Sequence, residues 1–281
     1  MIEFDIAELM GLLRQDVPFL DNTTFGLGIS GSGWAKFYPK KDSIILCGIS
    51  ESKQITLECG LNIESCAENG ANLGAKELAL HLSGDLRAIL KISKTLQNLM
   101  EYGSSVATYT HKMKSIAMQF NPEIAILGTR KTMPFAKKFL LKALITGGGI
   151  PHRLGLSDSV LIFSEHLNAL NDAKKSIKQL KSTFKEHRVI IEVDSIESAL
   201  KMANLGADVL QCERFELPQL SQLVRIIRAD FPHILVSATG GINLQNIAEY
   251  AKTGVDMVVT TSMYRAEILD IKVEISKILT P

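Results

Sequence analysis

The chain has 281 residues, of which 46% are hydrophobic, so it can bury a substantial core in one large domain or two smaller ones. Its 31 basic and 30 acidic residues leave a formal net charge of +1. A nearly neutral chain has no diffuse positive field for nucleic acid or for an anionic membrane surface, so we predict neither as a partner.

The N-terminal residues, MIEFDIAELMGLL, are acidic where a secretory signal would be basic. No apolar run approaches the roughly 18–20 residues that are needed to cross a bilayer. We therefore expect a cytoplasmic protein. The four cysteines have no CxxC spacing and lie among apolar neighbours, so they indicate buried thiols rather than a zinc site or a disulfide framework.

The N-terminal part of the chain predicts a mixture of helix and strand. Asp5 is suited to cap a first helix, in which apolar residues from Ile6 to Leu13 recur at helical spacing. Residues 16–33 are rich in Pro, Gly, Asn and Thr and predict a loop. In residues 34–68, short apolar runs such as SIILCGI and QITLECGL alternate with turn residues, which predicts the strands of a small sheet.

From Ile92 to Ala117 the apolar residues return to a period of 3.6, with a predicted break at Gly103. One face of this helical segment carries polar residues: Lys94, Gln97, Glu101 and Tyr102. Residues three or four apart lie on the same helical face. A solvated charged face accounts for them, and a ligand-facing stripe is the alternative.

After residue 118, six short runs rich in Ile, Val and Leu recur, and helical segments separate most of them. The runs are EIAILG (123–128), SVLIF (159–163), RVIIEV (188–193), ADVLQ (207–211), ILVSAT (234–239) and VDMVVT (255–260). The intervening helices are predicted at 169–184, 196–205 and 243–253. This alternation predicts a parallel α/β arrangement, and six units rather than eight predict an incomplete or small barrel.

In such barrels the chemistry lies at the carboxyl ends of the strands, where the loops converge. Polar residues follow each predicted strand: Thr129, Arg130 and Lys131; Ser164, Glu165 and His166; Glu192 and Asp194; Glu213 and Arg214; Thr239, Gly240 and Gly241; Thr260, Thr261 and Ser262. The sequence therefore predicts one rim that collects cations, carboxylates and a phosphate site.

The fifth and sixth strands suggest where a phosphate binds. Glycine at 240 and 241 lets the backbone approach a ligand closely, and the helix predicted to open at Asn243 would direct amide dipoles at an anion. A lone Gly-Gly pair is weak evidence, but Thr261 follows the neighbouring strand, and the last two strands of complete barrels often share a phosphate site. We therefore predict Gly240, Gly241 and Thr261 as phosphate-binding residues.

The charged residues of the predicted rim suit other parts of an anionic substrate. Arg130, Lys131 and Arg153 fit a phosphate or a carboxylate. Glu192 and Glu213 could hold a divalent cation, and Mg²⁺ prefers oxygen ligands of this kind when it also bridges substrate phosphates. A structural ion pair is the alternative for each of these carboxylates.

These residues together carry a resemblance. GTRKTMP, GGGIPHRLGLSDSVLIF, IIEVDS, ATGGI and GVD are similar to motifs of the nicotinate-nucleotide pyrophosphorylase (quinolinate phosphoribosyltransferase) family, over nearly the whole chain. The resemblance implies an α/β fold with an N-terminal α/β sandwich domain (1–107), to which the tail 270–281 returns, and an open six-stranded α/β barrel domain (108–269). It also implies a homodimer in which one subunit's N-terminal domain covers the other's barrel rim.

The family's motifs assign roles to several positions of this chain. Arg130 and Lys131 match its TRK pair, and His152 and Arg153 match its HR pair, so they are expected to contact an aromatic acid or phosphoribosyl diphosphate. The alternative for His152 is a structural role, in which its side chain makes hydrogen bonds within the protein.

The remaining matches concern the diphosphate substrate and its metal. Glu192 matches the acidic residue of the third strand, a ligand of the ribose hydroxyls and of the metal, and Gly240 and Gly241 match the phosphate-binding turn. We predict Lys131, Glu192 and Glu213 as catalytic, and Mg²⁺ as the cofactor.

Three positions depart from the family's pattern. Lys94 stands where the family has an arginine that reaches across the dimer to a substrate carboxylate, Phe163 where it has a lysine, and Glu213 where it has an aspartate. Replacing a lysine by phenylalanine removes a charge-assisted partner worth about 1.5–3 kcal/mol in a desolvated site. The departures argue against quinolinate as the substrate, with Lys94, Arg130, His152, Arg153 and Phe163 as the substrate-binding residues.

The segments KTLQNLMEY, VLQCERF and VVTTSMYRAEILDIKV resemble the ModD branch of this family, which is encoded with molybdate-transport systems. The expected activity is transfer of a phosphoribosyl group between phosphoribosyl diphosphate and a nitrogen heterocycle other than quinolinate, in either direction. The alternatives are a non-catalytic molybdate or oxyanion-binding protein, a true quinolinate phosphoribosyltransferase, and an inactive partner subunit.

Overall fold

The computed structural model describes residues 2–278. Within them the helices are α1 (Ile6–Asp16), α2 (Asn22–Gly26), α3 (Ile49–Glu58), α4 (Leu86–Met118), α5 (Lys137–Thr146), α6 (Ser164–Asn168), α7 (Ala173–Thr183), α8 (Ile196–Asn204), α9 (Leu217–Asp230) and α10 (Ile247–Lys252). A short 3-10 helix covers Ser262–Arg265. None of the helices in this part of the chain combines the length and apolar character that a membrane span requires.

The strands are β1 (Ser32–Pro39), β2 (Ile44–Ile45), β3 (Asn62–Cys66), β4 (Asn72–Leu73), β5 (Leu80–Asp85), β6 (Ala125–Gly128), β7 (Ile150–Pro151), β8 (Val160–Ile162), β9 (Val189–Val193), β10 (Val209–Glu213), β11 (Leu235–Thr239), β12 (Met257–Thr260) and β13 (Ile271–Lys277). They form a four-stranded sheet, a seven-stranded sheet and a two-stranded ribbon.

The chain divides into two compact units. The first contains the described residues up to 111, together with 134–147 and 265–278, and the second contains 112–133 and 148–264. The predicted domains, 1–107 with the tail 270–281 and 108–269, differ from these units by a few residues at each limit. The main difference is 134–147, which the prediction assigns to the barrel. Residues 279–281 of the predicted tail lie outside the described part of the chain.

The first unit is built on an antiparallel sheet with the strand order β13-β1-β5-β3. In β1 every second residue is buried, including Ala35 and Phe37, which is the period expected of a sheet with one covered face. Helix α4 buries Ile89, Ile92 and Leu96 in the same core, at the three-to-four-residue spacing of one helical face. The predicted helix-and-sheet architecture of this unit is confirmed.

Residues 16–33 lie largely in loops, as predicted, although the short helix α2 and the start of β1 fall among them. Two local predictions for this unit are wrong. The run QITLECGL belongs largely to helix α3, because Ile49, Ser52 and Ile55 are buried at a spacing of three. Helix α4 passes through Gly103 without a break, and a Cβ at that position would lie 3.1 Å from the carbonyl oxygen of Cys47, so this glycine serves close packing.

The second unit is built on a parallel sheet with the strand order β7-β6-β12-β11-β10-β9-β8. The edge strands β7 and β8 do not pair with each other, so the curved sheet is open. All six predicted strands are present, and the α/β class and the open barrel are confirmed. The strand count requires a correction to seven, because the two-residue strand β7 is too short to produce a periodic signal.

Candidate active site at the carboxyl edge of the parallel sheet

A carboxylate and an amide face each other on the neighbouring strands β9 and β10. Glu192 is in register with Gln211, and the Gln211 Nε2 donates to the Glu192 Oε2 at 2.9 Å. Glu213 lies two residues after Gln211 and therefore on the same face of the sheet. The sequence reasoning did not select Gln211, although a polar residue at the end of the apolar run ADVLQ was a usable signal.

The electrostatic surroundings of Glu192 connect several predicted residues. Burial raises the pKa of Glu192, the hydrogen bond from Gln211 opposes that rise, Glu213 and Glu165 add to it, and Lys131 lowers the pKa slightly. Lys131 and Glu213, the other two residues predicted to be catalytic, thus lie within electrostatic range of Glu192 in the same unit. Glu165, which the sequence placed on the rim without a role, joins them.

Arg214 follows Glu213 in an uncommon backbone conformation, with φ at +53°. Its N–H donates to the Thr239 carbonyl oxygen at 2.9 Å, and its Nε lies 3.2 Å from the Glu213 Oε1. A Cβ at Gly240 would lie 2.5 Å from the Arg214 Cγ, and Gly240 itself has φ at +97°. Position 240 therefore requires glycine both for its conformation and for this close contact.

The turn after β11 exposes backbone donors. Among the described residues, the N–H groups of Gly240 and Gly241 have no hydrogen-bond acceptor. On the neighbouring strand end, the Thr261 hydroxyl lies 2.9 Å from the Thr129 hydroxyl. The helix predicted from Asn243 begins only at Ile247 and has six residues, so the argument from its amide dipoles is wrong. The available donors belong to the glycine turn itself.

Several cations follow the strands β6 and β7. The Arg153 side chain is buried, with 6% of the residue exposed, and has no hydrogen-bond or ion-pair partner among the described residues. Its burial, and to a lesser degree Arg130, lower the pKa of Arg153, and Asp158 opposes them. Burial and the neighbouring Arg153 lower the pKa of His152 to about 4, so this imidazole is neutral at pH 7.

Phe163 sits at the end of β8 with two partners. Its ring is stacked with His166, with 5.7 Å between the ring centroids and 22° between the planes, and the Arg153 Cζ lies 5.7 Å from the same ring. The Phe163 N–H also donates to the His166 Nδ1 at 3.0 Å. Arg130, His152, Arg153 and Phe163, four of the five predicted substrate-binding residues, belong to this unit.

Lys94, the fifth predicted substrate-binding residue, belongs to the first unit. It is exposed on α4, and its Nζ donates to the Gln97 Oε1 at 2.6 Å. Gln97 in turn donates to the Glu101 carboxylate at 3.0 Å. The polar helical face predicted from the sequence thus forms a chain of side-chain hydrogen bonds.

The residues that suit a metal are few. Among the described residues, no group of three or more His, Cys, Asp or Glu side chains is placed to hold a metal ion. Glu192 and Glu213 offer two carboxylates, and Mg²⁺ is commonly held by one or two carboxylates together with water and substrate phosphates. Because neighbouring carboxylates raise the pKa of Glu192, a cation there would relieve their repulsion. These two side chains fit a Mg²⁺ ion that the substrate helps to bind.

The chain is similar to known proteins over nearly its whole length. Residues 106–274 match the family described as quinolinate phosphoribosyl transferase, C-terminal domain, and residues 21–104 match the N-terminal domain of the same family. The ModD protein of Pasteurella multocida, named as a pyrophosphorylase, is 30% identical over 280 residues, which cover 99% of each chain. A protein of Methanothermobacter thermautotrophicus, named as a carboxylating nicotinate-nucleotide pyrophosphorylase, is 29% identical and covers 88% of this chain and 90% of its own.

A solved structure of the nicotinate-nucleotide pyrophosphorylase from Francisella tularensis superposes with a TM-score of 0.88 at 22% identity, and the match covers 98% of both chains. At this identity the superposition concerns the fold. Two family domains that together span most of the chain, and a full-length relative at 30% identity, lead to one conclusion. The chain belongs to the quinolinate phosphoribosyl transferase family.

Proposed function

We propose that the protein transfers a phosphoribosyl group between phosphoribosyl diphosphate and a nitrogen heterocycle other than quinolinate. One observation carries this proposal: two features occur in one unit and at one edge of the sheet. They are the free backbone donors of Gly240 and Gly241 and the carboxylates of Glu192 and Glu213. The first feature suits a phosphate, and the second suits a positively charged sugar carbon.

In the transfer, the ring nitrogen of the acceptor forms a bond to C1 of the ribose while the bond from C1 to the diphosphate oxygen breaks. The diphosphate leaves with the electron pair, and C1 gains positive charge in the transition state. Glu192, whose carboxylate accepts a hydrogen bond from the amide of Gln211, would stabilise that charge. Lys131 and Arg130 would hold the departing diphosphate or an acidic substituent of the acceptor ring, and a neutral His152 would orient that ring.

We propose Mg²⁺ as the cofactor, with Glu192 and Glu213 as its protein ligands and the diphosphate substrate supplying the others. When bound, the ion would offset the negative charge that builds up on the diphosphate. Glu213 is available for this role if it gives up its contact with Arg214, whose side chain is 80% exposed and can turn into solvent.

We also propose that the protein forms a homodimer. Lys94 stands where the family has an arginine, and in the dimer it would reach the substrate site of the other subunit. Lysine keeps the charge but loses the two-pronged contact that a guanidinium makes with a carboxylate. Together with Phe163, this supports an acceptor that has fewer anionic groups than quinolinate.

A non-catalytic oxyanion-binding protein is the second candidate, because the free donors of Gly240 and Gly241 would also suit tetrahedral molybdate. The half-buried carboxylate of Glu192 favours the transferase, since a site that binds only anions gains nothing from a carboxylate. A true quinolinate phosphoribosyltransferase is the third candidate, and the substrate test below separates it from the first.

Calorimetric titration of the full chain with phosphoribosyl diphosphate, with and without Mg²⁺, tests the proposal. We expect binding that strengthens with Mg²⁺. No binding would overturn the transferase, and molybdate binding that is independent of Mg²⁺ would favour the second candidate. Incubation with phosphoribosyl diphosphate and a panel of pyridine acids and amides then tests the acceptor, and efficient conversion of quinolinate would overturn our assignment of Phe163 and Lys94.

A further inference from the structure

A cavity of about 990 Å³ lies along the free edge of β8 in the second unit. Its lining includes Arg130, Arg153 and Phe163, which follow strands at the carboxyl edge of the sheet, and Phe184 and His187, which precede β9. Small-molecule sites of roughly 300–1,000 Å³ hold drug-sized ligands. This space therefore exceeds what a single six-membered ring and one carboxylate would fill.

The lining of the cavity has an uneven charge distribution. Arg130 and Arg153 are the only Lys, Arg, Asp or Glu side chains among the described lining residues. The inner part is formed by β8 and by Ile177, Leu180 and Phe184 of α7 and its C-terminal end. One end can therefore hold an anion, and the rest can bury an apolar body.

Two polar side chains at the cavity make no hydrogen bond in the described part of the chain. Arg153 is buried without a hydrogen bond or an ion pair, and the buried hydroxyl of Ser159 has no hydrogen-bond partner. Buried polar groups are rarely left in this state, because each unmade hydrogen bond costs free energy. Both residues line the cavity, so a ligand there would satisfy them.

We infer that the acceptor is a monoanionic aromatic acid with an apolar extension, bound with its anionic group at Arg153 and Arg130 and its extension along β8 and α7. The assignment of this ligand as the acceptor rests on the proposed transferase function. Phe163 would exclude a second anionic group from the mouth of the cavity, because its ring occupies the position between Arg153 and His166 and offers no positive charge.

Three probe acids test the inference by calorimetry on the full chain. Benzoate has one ring and one carboxylate, 2-naphthoate has two rings and one carboxylate, and phthalate has one ring and two carboxylates. We expect 2-naphthoate to bind at least about tenfold more tightly than benzoate, because its second ring buries more apolar surface, and phthalate to bind least tightly. Equal binding of benzoate and 2-naphthoate, or preference for phthalate, would overturn the inference.

Variants that fill the cavity test whether the acids bind there. Ser176 lines the cavity from α7, so Ser176→Trp should fill it and abolish the advantage of 2-naphthoate while leaving benzoate binding within about twofold. Ser182→Trp, on an exposed position of the same helix, is the matched control. Leu180→Phe is a second filling variant should Ser176→Trp fail to fold, as judged by circular dichroism. An unchanged preference for 2-naphthoate in folded filling variants would overturn the inference.

Arg153→Met should weaken binding of all three acids, and Phe163→Lys should raise the affinity for phthalate relative to benzoate. These measurements need no phosphoribosyl diphosphate. If the acids bind in the expected order but phosphoribosyl diphosphate does not bind, the transferase function fails while the ligand class stands. If phosphoribosyl diphosphate binds but the order of the acids is reversed, the ligand class fails alone.

Discussion

Two buried cations of this protein have opposite surroundings. Lys142, on α5 of the first unit, is 4% exposed and pairs with the Glu51 carboxylate, which is 1% exposed. Arg153, in the second unit, is 6% exposed and has no such partner among the described residues. A buried charge that is paired within the protein serves the fold, whereas one without a partner costs stability and is retained where a ligand can neutralise it.

Replacing each cation by methionine is expected to give the largest effect on stability among the tests of this comparison. Lys142→Met should lower the free energy of unfolding by about 3–5 kcal/mol, because it leaves Glu51 charged, buried and unpaired. Arg153→Met should change it by less than about 1 kcal/mol or raise it, since the described residues give Arg153 no hydrogen bond or ion pair to lose. Denaturant unfolding measures both.

The double variant Glu51→Leu/Lys142→Met is the control, and it should recover most of the loss by removing both charges. If Arg153→Met proves as destabilising as Lys142→Met, the distinction between the two cations is wrong.

Glu192 extends the comparison to an acid. Glu192→Gln should lower turnover about 10²–10³-fold, the loss that follows removal of one group that stabilises transition-state charge. The same variant should raise the melting temperature at neutral pH. Because the folded-state pKa of Glu192 is raised, ionisation costs stability, and that cost appears as the pH rises from the unfolded pKa through the folded one.

Steady-state assays and thermal unfolding at pH 7 and pH 4 measure the two effects of Glu192→Gln. Glu186→Gln, at an exposed position before β9, is the matched control and should change neither quantity. A Glu192→Gln variant with normal turnover would remove Glu192 from the proposed mechanism.

The neutral imidazole of His152 should make stability depend on pH. Its folded-state pKa is about 4, below the unfolded value of about 6.5, so the folded protein binds fewer protons between these values. Its contribution to stability is therefore complete above the unfolded pKa and is lost as the pH falls toward 4, by roughly 1–3 kcal/mol.

Denaturant unfolding of His152→Gln against the unmodified chain, from pH 4 to pH 7.5, measures the His152 contribution. His233→Gln is the control because that side chain is exposed. An identical pH slope in the unmodified chain and in His152→Gln would contradict the assigned burial.

The smallest expected effect concerns backbone strain at Arg214, whose side chain contacts the glycine turn after β11. Arg214→Asn should raise the free energy of unfolding by about 1 kcal/mol, because asparagine tolerates a positive φ better than arginine does. Lys76→Asn, in the first unit with φ at +65°, should give a similar gain and serves as the matched control. Loss of stability in Arg214→Asn alone would show that the contact with Gly240 outweighs the strain.

Local sequence signals predicted much of the fold because they act over a few residues. Asp5 caps α1 as predicted, since the N–H of Ala7 donates to its carboxylate. The six apolar runs became strands because a buried parallel strand requires continuous Ile, Val and Leu. The segment QITLECGL failed because short apolar runs suit a helix and a strand equally well, and its neighbours in the core decided.

The residue types of the candidate site could also be selected from the sequence, because their positions after predicted strands place them at one edge of the sheet. The hydrogen-bond partners of these residues could not be predicted from the sequence. The register of β9 with β10 brings Gln211 to Glu192, and that register depends on contacts between segments 19 residues apart.

By itself the sequence determined the strand order along the chain, the polar ends of the strands and the family. Only the tertiary structure decided that Lys142 has a buried carboxylate partner, that Arg153 has none among the described residues, and that a cavity lies along the edge of β8. The physical reason is that burial and pairing depend on residues distant in the chain, whereas propensity and periodicity depend on residues nearby.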